Sequence, residues 1–289
     1  MLLVVLVFSA AFFLYSYREV IENLFSGPGK NQTIMELWES RDYSGLIDFC
    51  NKVLEENPSD FEALVFLGFA SFYKGTAVFD QDRKMSYMDD AVLSLRKAVL
   101  FDSEKLNPQI NYILGKAYLH KGKFYSDLSV KYLNMALEDN YLGADIYEYL
   151  GLAYSELGFT EHSARYFEKA AEKNPSDLLL LVLAQIYMDN EDFQSAEKHL
   201  IKSNSMTEDN RIRERNLFML ARIYEKKEDY KTAEETYREI ISSNPESADA
   251  HYHLGLLYET MGDNIRARAE LRRALRIDPD HYGTRLKLF

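Results

Sequence analysis

Residues 254–279 read LGLLYETMGDNIRARAELRRALRIDP, and this stretch decides the fold. Its apolar residues recur at helical spacing on both sides of one interruption at Gly262, which predicts two helices joined by a short turn. Small residues at Gly255 in the first helix and Ala267 in the second let the two helices approach closely. Pro279 then ends the second helix, because proline cannot continue the helical hydrogen bonds. The stretch therefore predicts a hairpin of two antiparallel helices.

The same frame recurs upstream through most of the chain. Clear copies begin at Leu150-Gly151 and Leu220-Ala221, and a degenerate first copy contains the sole tryptophan, Trp38. Weaker copies centre on residues 67–68, 114–115 and 183–184. Four of the six prolines follow Asn or Asp at the end of a predicted second helix: Pro58, Pro175, Pro245 and Pro279. The chain is thus predicted to be a row of helical hairpins that prolines separate.

This frame resembles the tetratricopeptide repeat, a 34-residue helix–turn–helix unit with W-x2-L-G-x2-Y, A-x3-F, A and P positions. The resemblance covers about residues 27 to 281 and implies an all-α fold, in which stacked hairpins form a solenoid with a right-handed superhelix. About seven units end in a short cap that reaches residue 289: approximately residues 27–60, 61–106, 107–142, 143–176, 177–210, 211–247 and 248–281. The second unit carries about 11 extra residues, Thr76 to Ser86, which we expect to bulge at the tip of its hairpin.

The composition limits which functions fit this fold. Of 289 residues, 47% are apolar and 28% are charged, so the chain can build a packed core. The net charge of −12 disfavours nucleic acid as a partner, because phosphates attract basic proteins and repel acidic ones. The single cysteine, Cys50, allows neither an internal disulfide nor a Cys-rich zinc site, and we expect it to be buried.

Residues 2–17, LLVVLVFSAAFFLYSY, contain no charged residue. In a helix they would reach about 24 Å against a hydrocarbon core of about 30 Å, which favours a short membrane span over a buried core helix. No small-x-small cleavage site follows the run, which favours an uncleaved anchor over a cleaved signal peptide. We therefore expect residues 1–26 to form an N-terminal anchor with a juxtamembrane helix, and residues 27–289 to form the solenoid.

The location of the solenoid is harder to predict, because few basic residues flank the apolar run. The run resembles an uncleaved export signal. We therefore expect a single-pass protein of the cell inner membrane with its solenoid in the periplasm, and the cytoplasm stays open as the alternative.

The sequence offers no convincing catalytic or metal-binding constellation. His251 and His253 lie two residues apart and so on different sides of a helix, which favours packing or surface roles. Gly27-Pro28-Gly29-Lys30 lacks the spacing of a phosphate loop and is interpreted as a linker. We therefore expect no enzyme activity, no metal and no cofactor.

The resemblance implies that a partner protein binds the concave face lined by the first helices. Its groove positions map onto ten residues that we predict to bind the partner: Val65, Phe66, Phe69, Phe72, Tyr73, Tyr112, Lys116, Leu152, Met188 and Arg222. Further groove positions are His120, Glu148, Ser155, Leu181, Gln185, Phe218 and Lys226. The Lys and Asn set with which chaperone-binding members hold a terminal carboxylate does not occur, so chaperone tails are not the expected partner.

The first helix of the second unit is apolar nearly throughout, which is more than hairpin packing requires. One interpretation is an exposed apolar groove that takes an amphipathic helix or an extended peptide. In the other, the first copy or the insertion, through Val78 and Phe79, covers this face. The sequence leaves both open.

The last second helix carries five arginines: Arg266, Arg268, Arg272, Arg273 and Arg276. They form either a solvated helix face or a docking patch for an acidic protein or for anionic lipid headgroups.

These observations lead to one hypothesis of function and two alternatives. The first is a non-catalytic, membrane-anchored scaffold or adaptor that binds a partner peptide or helix in its groove, within a bacterial envelope assembly. The second is a regulatory or substrate-holding subunit of an enzyme complex. The third is a self-assembling structural element, a homo-oligomer through its C-terminal end, where we expect Leu286, Leu288 and Phe289 to be partly exposed.

Overall fold

The computed structural model describes residues 30–101 and 107–288, and all regular structure in these ranges is helical. The predicted all-α class is therefore confirmed for the described chain. The helices are α1 Lys30–Glu39, α2 Tyr43–Glu56, α3 Phe61–Thr76, α4 Gln81–Phe101, α5 Asn107–His120, α6 Ser126–Glu138, α7 Ile146–Glu156, α8 Thr160–Lys173, α9 Asp177–Asp189, α10 Phe193–Met206, α11 Asn210–Lys226, α12 Tyr230–Ser243, α13 Ala248–Thr260, α14 Asn264–Ile277 and α15 Tyr282–Leu288. One 3-10 turn, Lys123–Tyr125, precedes α6.

The chain divides into two compact units, residues 1–170 and residues 171–289. Within each unit, consecutive helices pack against each other, and the pairs α3/α4, α5/α6, α9/α10, α11/α12 and α13/α14 form hairpins. First helices of neighbouring hairpins also contact each other, as α3 does with α5, α5 with α7, and α9 with α11. These contacts place first helices of neighbouring hairpins side by side in each unit.

Local sequence sets where the second helices begin. At α14, Gly262 has a positive φ of 80°, and the side chain of the next residue, Asp263, accepts a hydrogen bond from the Arg266 amide. The same turn recurs before α12, but there the left-handed residue is Glu228, with φ of 59°. A left-handed φ strains a residue that has a Cβ, so these turns differ in stability although they share one shape.

Small residues permit close helix crossings, as the sequence predicted. A Cβ at Gly151 would lie 2.8 Å from the Phe167 ring, which packs across the α7/α8 hairpin. The Ser163 hydroxyl donates a 2.8 Å hydrogen bond to the Gly151 carbonyl oxygen at the same crossing. A Cβ at Gly262 would meet nothing within 4 Å, so only its backbone angle favours glycine there.

The insertion in the second hairpin forms less loop than expected. Helix α3 ends at Thr76 and α4 begins at Gln81, so only Ala77 to Asp80 are left as the connection. The rest of the insertion lengthens α4 to 21 residues. Phe79 is fully exposed and does not fold over the hairpin.

The predicted anchor, residues 2–17 within residues 1–26, lies outside the described residues. Among residues 30–101 and 107–288, no helix combines the length and the apolar character needed to cross a bilayer.

Candidate protein-binding surfaces

The apolar face of α3 is buried inside the first unit. Val65, Phe66, Phe69 and Phe72 are each at most 1% exposed. The Trp38 ring from α1 lies against them, with its centroid 5.6 Å from that of Phe66 and 6.1 Å from that of Phe69. Of the two interpretations that the sequence left open, these four predicted groove residues therefore fit the covered face: the first hairpin packs on Phe66 and Phe69, and His120 of α5 packs on Phe72.

Tyr73, at the end of the same face, is held by the first hairpin as well. Its ring stacks on Tyr43 with centroids 5.5 Å apart, and Trp38 meets its edge at 5.7 Å. Burial, the largest influence, raises the pKa of Tyr73 well above its usual value. Tyr73 is thus part of the aromatic packing between α1, α2 and α3.

Next to this aromatic packing, α5 and α7 hold a buried polar group that we call the Lys116 centre: Tyr112, Lys116, Asp145 and Tyr149. The Lys116 ammonium lies 2.8 Å from Asp145 Oδ2 and 3.1 Å from the Tyr112 hydroxyl. The Tyr112 hydroxyl donates a hydrogen bond to the other oxygen of Asp145. Lys116 and Tyr112 are 6% and 2% exposed, so both predicted groove residues lie inside the unit.

Aromatic rings enclose the ammonium of the Lys116 centre. Lys116 Nζ lies 4.5 Å from the ring centroid of Tyr149, 4.7 Å from that of Tyr112 and 5.5 Å from that of Phe72. Cation–π attraction of this kind grows when the cation is desolvated. The cation is therefore satisfied by one carboxylate and three rings of its own chain, and it offers no free charge to a ligand.

Glu148 lies beside the Lys116 centre and differs from it in being incompletely paired. It is 3% exposed, and its Oε2 atom has no hydrogen-bond partner among the described residues. The pKa of Glu148 is raised to about 7, chiefly by burial and also by the charge of Asp145, while Lys116 opposes the shift. This carboxyl group therefore changes its charge near neutral pH.

His120 packs against Tyr149 of the Lys116 centre and against Phe72. Its Nε2 atom lies 3.2 Å from the Tyr149 hydroxyl, and its ring lies 5.8 Å from the Phe72 ring. The pKa of His120 is lowered to about 3, chiefly by burial and also by the positive charges of Lys84 and Lys116. His120 is therefore neutral at physiological pH. Leu152, the remaining groove residue of this unit, is half-buried on α7.

The second unit presents a more open first-helix face, which we call the Arg222 face: Phe218, Arg222, Tyr237 and His253. Arg222 on α11 is exposed, whereas the rings below it are packed. Tyr237 and His253 stack with centroids 5.9 Å apart and an interplanar angle of 7°, and the Phe218 ring meets His253 at 5.9 Å. We call these three rings the aromatic floor; Arg222 lies near enough for its charge to influence the pKa of Tyr237 and of His253.

Electrostatics links Arg222 to this floor. Burial is the largest influence on His253 and lowers its pKa, and the positive charge of Arg222 lowers it further. The Tyr237 hydroxyl donates a 2.5 Å hydrogen bond to Glu225, and burial raises the pKa of Tyr237. The floor is therefore uncharged near neutral pH, and the guanidinium of Arg222 supplies its positive charge. Met188, the other predicted groove residue of this unit, is half-buried on α9.

The sequence identified Arg222 and Phe218 as groove positions but missed Tyr237 and the stacking role of His253. Tyr237 lies on a second helix, α12, and its ring contacts Phe218 of α11 and His253 of α13. A stacking contact of this kind joins residues from two hairpins. No local spacing rule would have found it.

Two residues considered for chemistry have packing roles. Cys50 is fully buried, and burial raises the pKa of its thiol to about 12. His251 is buried and its Nδ1 atom lies 2.7 Å from Glu270 Oε2. Neither side chain opens onto a first-helix face.

The five arginines of α14 fall into two groups. Arg266 pairs with Asp263 at 2.6 Å and lies over the Tyr258 ring, 4.3 Å from its centroid. Arg273 pairs with Glu270 at 2.7 Å. The other three are exposed and make no ion pair within the described chain: Arg268, Arg272 and Arg276.

Comparison with known proteins agrees with this architecture. Residues 149–202 and 218–282 match the family model described as tetratricopeptide repeat. No curated protein shows significant sequence similarity to the chain.

Solved structures show the same fold at low identity. The C-terminal part of a TPR repeat-containing protein from Cytophaga hutchinsonii superposes with a TM-score of 0.68 at 16% identity, over 89% of this chain and 99% of that one. A tetratricopeptide repeat protein from Parabacteroides merdae gives 0.53 at 22% identity, over 75% and 79% of the two chains. The MamA protein gives 0.52 at 19% identity, over 60% and 93%. The chain therefore has the all-helical tetratricopeptide-repeat solenoid fold, and residues 149–202 and 218–282 carry repeats of that family.

Proposed function

We propose that the chain is a non-catalytic adaptor that binds a partner protein on the Arg222 face of its second unit. Tetratricopeptide repeats generally mediate protein–protein interactions through the surfaces that their stacked hairpins create. The observation that carries the proposal is the exposed guanidinium of Arg222, which has no ion-pair partner among the described residues and whose charge is felt at the packed rings of Tyr237 and His253.

The chemistry of the face selects the partner segment. A guanidinium donates two parallel hydrogen bonds to a carboxylate, and an aromatic floor excludes water beneath it. Phe218 and Met188 are both half-buried, and their helices α11 and α9 contact each other, so each can offer apolar contact to the same partner segment. We expect a helix or extended segment that brings one acidic side chain to Arg222 and apolar side chains to Phe218 and Met188.

Substitution of Arg222 tests this proposal. Arg222→Glu reverses the charge of the face, and we expect partner recovery from native membranes to fall at least tenfold with an unchanged melting temperature. Lys202→Glu is the matched control, because Lys202 is an exposed basic residue on the second helix α10. Equal recovery by the two variants would contradict the proposed surface.

The same proposal includes a membrane anchor at residues 2–17, with the repeats on the periplasmic side of a bacterial inner membrane and within an envelope assembly. The uncharged 16-residue run supports it. The full-length protein should resist carbonate extraction and retain its encoded N-terminus. Recovery of a shortened, extractable protein would refute the anchor, and protection of the repeats from protease in spheroplasts would refute the periplasmic side.

Self-assembly is a second candidate, and exposed apolar residues of α15 favour it. Tyr282 and Leu286 are largely exposed, and Leu288 is half-buried. If copies associate through this helix, the mass of the detergent-solubilised chain should rise with concentration, and Tyr282→Ser with Leu286→Ser should abolish the rise. A constant monomer mass would exclude this candidate.

A further inference from the structure

The exposed face of α14 carries arginines that form no ion pair within the described chain. Arg268, Arg272 and Arg276 recur every four residues, so their guanidinium groups form one straight row about 12 Å long. All three are exposed, and none pairs with a carboxylate of the described chain. Of the acidic residues in and next to this helix, Asp263 and Glu270 are already paired with Arg266 and Arg273, and Asp278 follows its last residue.

Such a row weakens the helix that carries it. Like charges four residues apart repel each other, and α14 contains two such pairs in succession. Helix α12 shows the ordinary arrangement, since Lys231 pairs with Glu235 at 3.9 Å and Arg238 pairs with Glu234 at 2.9 Å. The chain as a whole has a net charge of −12. A helix face with three unpaired arginines is therefore opposite in charge to the chain as a whole.

We propose that the α14 row, Arg268, Arg272 and Arg276, docks on the anionic phosphate groups of a lipid bilayer. Guanidinium groups bind phosphate oxygens through two parallel hydrogen bonds, and anionic headgroups attract each basic residue near the surface. Ile265, 86% exposed, lies on the same face one turn before Arg268 and can insert between headgroups. The three arginines are exposed along one helix face, an arrangement that can meet several headgroup phosphates of a flat bilayer at once.

This inference rests on the proposed membrane anchor in one respect: residues 2–17 would hold the chain at a bilayer. Docking would then orient the second unit by attraction that depends on salt, whereas the anchor holds the chain by apolar burial that does not. The two contributions are therefore separable by ionic strength.

The test uses the full chain in nanodiscs of phosphatidylcholine, with or without roughly 30% phosphatidylglycerol as the anionic lipid. A fluorescent donor is attached at Ala269→Cys, an exposed position on the same face, and an acceptor is placed on a headgroup. Cys50 does not compete for the label, because it is fully buried. Energy transfer then measures how close α14 lies to the bilayer.

We expect transfer to increase with the anionic lipid and to fall when salt is added. The triple variant Arg268→Gln, Arg272→Gln, Arg276→Gln should lower the ratio of docked to undocked chain on the order of 100-fold. The control variant Lys198→Gln, Lys202→Gln, Lys231→Gln removes the same net charge from exposed positions on α10 and α12 and should keep the transfer.

Equal transfer with and without the anionic lipid, or equal loss in the two triple variants, would overturn the proposal. Binding of soluble polyglutamate that needs the three arginines, without any lipid effect, would also overturn it and would point to an acidic protein. Failure of the anchor is recognised separately, because the chain would then not copurify with pure phosphatidylcholine discs. In that event, flotation with phosphatidylglycerol vesicles decides the docking proposal through the same two variants.

Discussion

Glu148 should make the stability of the first unit depend on pH in a way that one substitution removes. Its ordinary pKa is 4.5, and burial raises it to about 7 in the folded chain. A group whose folded pKa is raised contributes stability that is fully present below the unfolded pKa and is lost as pH rises through the folded pKa. The free energy of unfolding should therefore decline between about pH 4.5 and pH 7 on account of this residue.

The size of the effect follows from the shift. A difference of about 2.5 pKa units corresponds to roughly 3 kcal/mol, as one unit equals about 1.4 kcal/mol. His120 acts in the opposite direction over an overlapping range, because its folded pKa is lowered to about 3 and its stability contribution is lost as pH falls below about 6.5. The contribution of His120 cancels when the free energy of unfolding of wild type is compared with that of Glu148→Gln, because both proteins retain His120.

The assay is urea unfolding of the full chain in detergent, followed by tryptophan fluorescence at several pH values from 5 to 8. Trp38 is the sole tryptophan and is buried in the first unit, so its fluorescence reports the unit that contains Glu148. We expect the wild type to lose about 3 kcal/mol relative to Glu148→Gln across this range. Parallel stability curves for the two proteins would refute the reasoning.

Three further predictions concern the packing. Gly151→Leu places side-chain atoms inside the Phe167 ring and should lower the melting temperature more than Gly262→Leu, whose strain lies only in its backbone angle; equal thermal shifts would contradict the crossing. Phe69→Ala should destabilise the first unit by about 3 to 5 kcal/mol in urea unfolding, and a change below about 1 kcal/mol would show that the ring is not in the core. Glu228→Gly should raise stability by about 0.5 to 1 kcal/mol, because glycine relieves the left-handed backbone; a melting temperature below that of wild type would argue against strain there.

The repeat frame could be predicted because each of its positions meets a local requirement. Gly151 and Gly255 stand where helices cross closely, and Asp263 stands where its side chain can cap a helix. These needs recur in every hairpin, so the sequence displays them at fixed intervals.

The surfaces were harder to predict, because they depend on which hairpins meet. Trp38 lies in the weakest repeat, and nothing in its local sequence shows that it packs on Phe66 and Phe69 of the next hairpin. Lys116 and Asp145 are 29 residues apart, and only the contact between α5 and α7 joins them. The local sequence does not show whether a lysine is unpartnered or is buried and paired.

Photo-crosslinking in the native membrane tests the central claim, that a partner protein binds the Arg222 face. A photo-reactive residue is placed at Arg222 or Met188 on the first-helix face, and at Ile201 on the second helix α10 as the control. The account predicts one discrete protein adduct from each of the first two positions, identified by mass spectrometry, and none from Ile201. Adducts from Ile201 alone, or equal adducts from all three positions, would contradict it.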